Sequence, residues 1–218
     1  LDPQLKIIAP WREWDLQSRD DCMDFCIEHD IKVSVSHDQS YSRDTNLLHM
    51  SHEGLELENP SIEPNYQHIL RMTNTLENAP NQPDEIEIEF LKGEPIKING
   101  QAMSPREILE TCNQIGGKHG IGIVDLIENR VVGMKSRGIY ETPGGTVLYR
   151  AHEELEHMCL DRETFAFKEQ AAVKFAEIVY GGQWFTPLRE ALSAFFDETQ
   201  KTVTGIVKLK LYKGNTIL

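Results

Sequence analysis

Residues 84–99 alternate apolar and polar side chains in two runs, DEIEIEFL and EPIKI, on either side of Lys92-Gly93. Alternation at period two with a turn between predicts a β-hairpin. The stretch SPREILETCNQIGG (104–117) changes period. Ser104 as N-cap, Pro105 at the first helical position and Glu107 three residues after the cap predict a helix that Gly116 ends. IGIVDLI (121–127) reads as a buried strand, and LKIIAP (5–10) as a short strand stopped by Pro10. Ser18, followed by Asp20 and Asp21, predicts a helix over 19–29, and IKVSVS (31–36) alternates like a further strand. Helical spacing returns at about 146–160, 162–180 and 187–200, and GIVKLKLYKG (205–214) closes the chain as strands.

Between these elements, residues 37–83 are rich in Ser, Asn, His, Glu and Pro with weak periodicity. A segment of that length in a compact domain is functional, disordered or docked on a partner. Hairpins and long helices without a regular β-α-β alternation give an α+β fold. The expected architecture is a mixed or antiparallel sheet with several long helices, in a single domain carrying a long irregular segment.

The net charge of −13 removes non-specific nucleic-acid binding, which needs a cationic face to displace counterions. No apolar run reaches the length of a membrane helix. Four scattered cysteines make no disulfide framework, and Cys22 and Cys26, four apart, read as a buried apolar pair on one helical face. That usage points to a reducing cytoplasm. The chain opens on Leu1 without an initiator Met and its last residues break off in strand grammar, which reads as a fragment.

The familiar enzyme motifs fail one by one. HEELEH (152–157) resembles a zinc-protease helix, but its histidines stand five apart instead of four. The second ring is turned by about a further 100°, so a solvated helix face is the better reading. GGKHGIG (116–122) lacks the Lys-Ser/Thr step of a phosphate loop, and there is no G-x-S-x-G elbow. By its own motifs the chain binds neither a nucleotide nor a metal.

Three polar clusters remain: APWREW (9–14), YSRDTNLLHMSHEGLELENP (41–60), and the run from Glu128 through GMKSRGIYETPGG (133–145). Lys, Arg, Tyr and Glu lie within nine positions of that last string, at the end of an apolar strand. With HGIGIVDLIENRVVGMKSRGIYETPGGTVLYRAHEELE (119–156) and LDRE (160–163), these stretches resemble the argininosuccinate synthase family from about Ile8 to the C-terminus.

That resemblance implies a cytoplasmic ligase of arginine biosynthesis and the urea cycle, joining citrulline to aspartate with ATP, supplied with Mg2+, as a substrate. The ureido oxygen of citrulline attacks the α-phosphorus, and the aspartate amine then displaces AMP. The family's Ser-Gly-Gly-x-Asp phosphate loop has no match here. The expectation is that residues 1–218 are the synthetase (citrulline-binding and multimerisation) domain alone, without its nucleotide-binding domain and without the family's C-terminal oligomerisation helix. Such a chain would be inactive by itself, bind no cofactor alone, and self-associate toward a homotetramer, with no nucleic-acid or membrane partner. The resemblance assigns Ser42, Ser51, Glu128 and Tyr140 to citrulline, with Glu128 facing the ammonium. Lys135 and Arg137 are candidates for phosphate or carboxylate, against a plain role as surface charges pairing with Glu141 or Glu128. No catalytic residue is assigned. Two other readings are a non-catalytic oligomerisation module and a hydrolase built on His152 and His157.

Overall fold

The structure, a computed structural model, describes residues 3–33, 41–129, 133 and 135–218. The chain divides into two compact units, Leu1–Ser42 and Arg43–Leu218. In the first, helix α1 (Arg19–Glu28) starts at Ser18, whose side chain accepts from the Asp21 N–H while Asp21 reaches back to the Ser18 N–H. That reciprocal cap satisfies two donors a helix start leaves free. Residues 5–9 are irregular and Ile7 and Ile8 stand exposed, so the strand expected over LKIIAP does not form; no strand among the described residues pairs with it. Residues 31–33 are also irregular, and the rest of the IKVSVS strand lies outside the described residues. Cys22 and Cys26 are half-buried rather than buried.

The second unit holds two sheets and five α-helices among the described residues, an α+β fold. Strand β1 (Ser42–Thr45), β2 (Met50–Glu53), the short helix α2 (Tyr66–Ile69), β3 (Asp84–Leu91), β4 (Glu94–Ile98) and β5 (Gln101–Ala102) lead to α3 (Pro105–Lys118). Then come β6 (Ile123–Asn129), β7 (Lys135–Glu141), α4 (Pro143–Cys159), α5 (Arg162–Tyr180), α6 (Pro187–Gln200), β8 (Gly205–Tyr212) and β9 (Asn215–Ile217). The larger sheet has the order β5-β4-β3-β8-β9 and the smaller β1-β2-β7-β6.

The larger sheet is built by three Xaa-Gly turns. Lys92-Gly93, Asn99-Gly100 and Lys213-Gly214 all have positive φ at both residues, as type I′ hairpin turns require. Its inner face, with Ile86, Ile88, Phe90, Val207, Leu209 and Leu211, packs on Ile108 and Cys112 of α3 and Val147 and Ala151 of α4. Its outer face is a charge ladder, with Glu87 3.0 Å from Lys208 and Glu89 2.9 Å from Lys97. Burying one side of an antiparallel sheet and solvating the other is what its strict alternation encodes.

Three further expectations change. Helix α3 does not end at Gly116 but runs to Lys118, because Gly116 and Gly117 serve packing: a Cβ on Gly117 would lie 2.1 Å from the Met72 carbonyl oxygen. β6 is not buried; it is a sheet edge whose Val124, Leu126 and Ile127 are exposed. HEELEH is not a solvated face either. Glu156 is buried and accepts from Lys168 Nζ at 3.0 Å and Gln200 Nε2 at 2.6 Å, while His152 Nε2 lies 2.8 Å from Gln200 Oε1. This polar knot ties α4 to α5 and α6. His157 instead packs its ring on Phe165.

From Arg43 on, the irregular segment packs within the second unit. After the β1–β2 hairpin, Leu57, Ile69 and Leu70 bury their side chains, and the loop 71–73 is held by hydrogen bonds to β7.

Candidate functional site

Strand β7 runs through the middle of the smaller sheet, between β2 and β6. Tyr140 stands opposite Ser51 on β2 and Val124 on β6, Gly138 opposite Leu126, and Ser136 opposite Glu128. Directly opposed residues share a face, and residues two apart on one strand do so too. One face of this sheet therefore carries Ser51, Tyr140, Gly138, Ser136 and Glu128 together.

On that face the Tyr140 ring lies along its strand and its hydroxyl donates to Glu128 Oε1. The ring of His49 stacks against Tyr140 with centroids 5.4 Å apart. Ser51 is buried, and its Oγ accepts from the Asp44 N–H at 3.3 Å. The hydroxyl of Ser51 keeps a proton to donate. The face thus gathers a carboxylate, a phenol and a serine hydroxyl beside the exposed Val124 and Leu126. A carboxylate accepts at both oxygens, so the one Tyr140 occupies leaves room for a cationic group at the other.

Three of the four expected ligand residues, Ser51, Tyr140 and Glu128, are brought together. Ser42 opens β1 and is exposed. Lys135 and Arg137 are not with them: their odd numbers put them on the opposite face of β7. Arg137 forks onto Asp125, Nε to Oδ1 and Nη2 to Oδ2, both at 2.8 Å, and Nη1 donates to the Ile62 carbonyl at 2.9 Å. Lys135 Nζ donates to Asn129 Oδ1. The Arg137 fork holds the Asp125 carboxyl below its usual value. Burial first, then the bond its hydroxyl donates to Asp125 at 2.6 Å, pushes the Tyr66 hydroxyl up to about 12. The anchoring partner of Arg137 is therefore Asp125, not the Glu141 or Glu128 considered from sequence.

Glu141 does something the sequence did not suggest. It is fully buried on the reverse face and accepts from the N–H groups of Arg71, Met72 and Thr73 at 2.8, 2.8 and 2.7 Å, and from Thr73 Oγ1 at 2.6 Å. His52 Nε2 approaches it to 2.7 Å. His52 Nδ1 accepts from Arg43 Nε at 3.0 Å, which assigns the proton to Nε2. Burial alone would raise the Glu141 carboxyl, but these donors outweigh it and hold it below its ordinary value. The residue after Tyr140 is thereby bolted to the loop beneath the sheet. His52 and Glu141 escaped sequence reasoning as site supports. Only the parity of HMSHE and GIYE, which alternates residues between the two faces, carried a trace of it.

Among the described residues no group of three His, Cys, Asp or Glu is arranged to hold a metal ion. None of the described helices is long and apolar enough to cross a membrane.

The comparisons with known proteins agree with the resemblance. The family described as Arginosuccinate synthase C-terminal domain matches residues 41–218. Argininosuccinate synthase of Brachyspira hyodysenteriae is 58% identical over 217 residues, covering 100% of this chain and 53% of the relative. Argininosuccinate synthase of Carboxydothermus hydrogenoformans is 59% identical over 215 residues, covering 99% of this chain and 53% of the relative. That of Acetivibrio thermocellus is 58% identical over 217 residues, covering 54% of its own length. The chain spans about half the length of the curated relatives it matches. Both the family match and the identity over the whole chain carry the same conclusion: this chain belongs to the argininosuccinate synthase family.

Proposed function

We propose that this chain is the substrate-binding part of an ATP-dependent ligase that joins citrulline to aspartate, releasing AMP and pyrophosphate, and that it supplies one wall of the citrulline site. The observation that carries this reading is the single sheet face bearing Ser51, Tyr140 and Glu128, with the Tyr140 hydroxyl on the Glu128 carboxylate. Citrulline offers an ammonium, a carboxylate and a neutral urea. Glu128 matches the ammonium, and the hydroxyls of Ser42, Ser51 and Tyr140 match the uncharged polar atoms without adding charge.

In such a reaction the work of this wall is positioning. The ureido oxygen becomes the nucleophile toward the α-phosphorus of ATP, so the amino-acid end must be held fixed while the urea points away. The edge strand's exposed Val124 and Leu126 supply an apolar surface that a covering domain would bury, and excluding water there strengthens the Glu128–ammonium pair. ATP, its Mg2+ and aspartate are assigned to the remainder of the longer protein. Lys135 and Arg137 remain candidates for an anion only if a partner surface reaches the reverse face of β7. The compartment proposed is the cytoplasm, in keeping with four free cysteines.

One wall binds weakly. A solvent-exposed ion pair is worth about 0–1 kcal/mol, whereas millimolar affinity needs roughly 4 kcal/mol. Residues 1–218 alone are therefore expected to bind citrulline more weakly than about millimolar and to release no AMP from ATP, citrulline and aspartate. The longer protein given the same three substrates should release AMP. Turnover by this chain alone, or none by the longer protein, overturns the reading.

A second role, assembly into a homotetramer, is favoured by the apolar side chains that α4, α5 and the turn after α5 leave in solvent. Tyr180 is 87% and Phe185 90% exposed, and Met158 and Val173 also stand exposed. Unpartnered apolar surface of this kind marks association sites. Sedimentation at several concentrations decides it, a strict monomer in the longer protein being the contrary result.

A further inference from the structure

We infer that Gly138 is a positioning residue for substrate recognition: the Cβ it lacks is the space in which the Tyr140 ring lies. The inference rests on the reading of this face as a citrulline wall. Tyr140 and Glu128 are not directly opposed; Glu128 pairs with Ser136 and Tyr140 with Val124, so the two are separated by the whole length of the Gly138–Leu126 pair. Successive residues of one face are about 6.6–6.8 Å apart along a strand. For its hydroxyl to reach Glu128 Oε1, the Tyr140 ring must therefore lie flat along β7, directly over position 138.

The geometry agrees. A Cβ on residue 138 would lie 2.7 Å from Tyr140 Oη and 2.8 Å from both Cε2 and Cζ. Carbon contacts are optimal at about 3.5–4.0 Å, so any side chain there forces the ring to lift. His49 stacks on Tyr140 and limits where the ring can go. Gly138 does not have the positive φ that would give glycine a backbone reason to be there. A glycine inside a strand weakens it, and its presence marks a place where something approaches closely. Here the approaching group is the side chain two residues on.

The consequence is chemical. With glycine at 138, the Tyr140 hydroxyl donates to one Glu128 oxygen and fixes the carboxylate's orientation before substrate arrives. With alanine, the hydroxyl is lifted off Glu128, and the carboxylate loses the bond that aims its other oxygen at the ammonium of an α-amino acid.

The test uses the longer protein, not the isolated chain. Biosynthetic 3-fluorotyrosine labelling, with the Tyr140 signal assigned by Tyr140→Phe, reads the ring's environment by 19F NMR independently of any activity. Gly138→Ala should shift the Tyr140 signal and leave those of Tyr66 and Tyr212 in place. In steady-state kinetics Gly138→Ala should raise the citrulline KM about tenfold or more, leave the ATP KM within about twofold, and add nothing in a Tyr140→Leu background, where no ring is left to lift. An unmoved Tyr140 signal overturns the inference whatever the substrate. A moved signal with an unchanged citrulline KM overturns the citrulline reading of the face while leaving the steric relation intact. Additive losses in the double variant overturn the claim that Gly138 acts through Tyr140. If Gly138→Ala does not fold, adding Tyr140→Leu removes the ring and should restore folding; failure of that rescue also overturns the inference.

Discussion

Glu141 lies 2.7 Å from His52 Nε2, and neither side chain touches solvent. The pair sits on the face of β7 and β2 opposite to Tyr140 and Ser51, so that the register fixing one face fixes the other. Around it the carboxylate accepts from three consecutive backbone N–H groups, Arg71 to Thr73. A buried charge is tolerated when it is paired and fully hydrogen-bonded, and its removal leaves every donor exposed to that cost.

Glu141→Gln keeps the shape and turns an acceptor oxygen into a donor, so it should cost about 1–3 kcal/mol at neutral pH. The pH dependence follows from the lowered folded-state carboxyl. Its stabilisation is fully present above the ordinary glutamate value of about 4.3 and is lost as pH falls through the lower folded value. Urea denaturation at pH 7 and at several points below pH 4.3 should show the gap between wild type and variant closing on the acid side. A gap independent of pH contradicts this.

Gly117 gives a prediction of opposite sign from two principles. By helix propensity, alanine inside α3 should stabilise by roughly 0.5–1 kcal/mol. By sterics, its Cβ would meet the Met72 carbonyl oxygen at 2.1 Å, and backbone cannot yield as a side-chain tip can. Overpacking costs about 1–3 kcal/mol, so Gly117→Ala should destabilise. Thermal denaturation shows which effect wins, and a raised midpoint refutes the close approach.

The knot at Glu156 is testable by a double-mutant cycle. Glu156 and Lys168 have side chains 3% and 15% exposed and lie 3.0 Å apart. Glu156→Leu strands the lysine and should cost on the order of 3–5 kcal/mol. Adding Lys168→Met should recover most of the loss, since an apolar pair can replace a buried ion pair. Additive losses in the double variant would show that the two residues act separately.

Local chemistry was legible in the sequence. Ser18, Ser104 and the Lys92-Gly93 turn marked their elements because a cap or a type I′ turn is decided within a few residues. Long-range relations were not. Gly116 and Gly117 looked like a stop because the carbonyls that exclude a Cβ, those of Pro143 and Met72, lie far away in the chain. IGIVDLI looked buried because its apolar composition carries no sign of being a sheet edge. HEELEH looked solvated because the lysine and glutamine that bury Glu156 come from α5 and α6. The short apolar run in LKIIAP could not reveal whether a neighbouring strand exists.

The candidate site residues were named through resemblance rather than pattern. The register puts Ser51, Tyr140 and Glu128 on one face, while simple parity along KSRGIYE separates Lys135 and Arg137 from Tyr140. The supports of the site, His52 to Glu141 and Gly138 beneath Tyr140, became visible only with the register.

Glu128 is where the proposed function can be tested most directly, by steady-state kinetics of Glu128→Gln in the longer protein with citrulline, aspartate and ATP varied in turn. Loss of the carboxylate leaves a desolvated ammonium unpaired, on the order of 2–5 kcal/mol, or roughly 30- to 5,000-fold. The citrulline KM should rise by a factor in that range while the ATP KM stays within a few-fold. An unchanged citrulline KM, or an equal rise for ATP, would contradict the assignment of Glu128 and of the face it stands on.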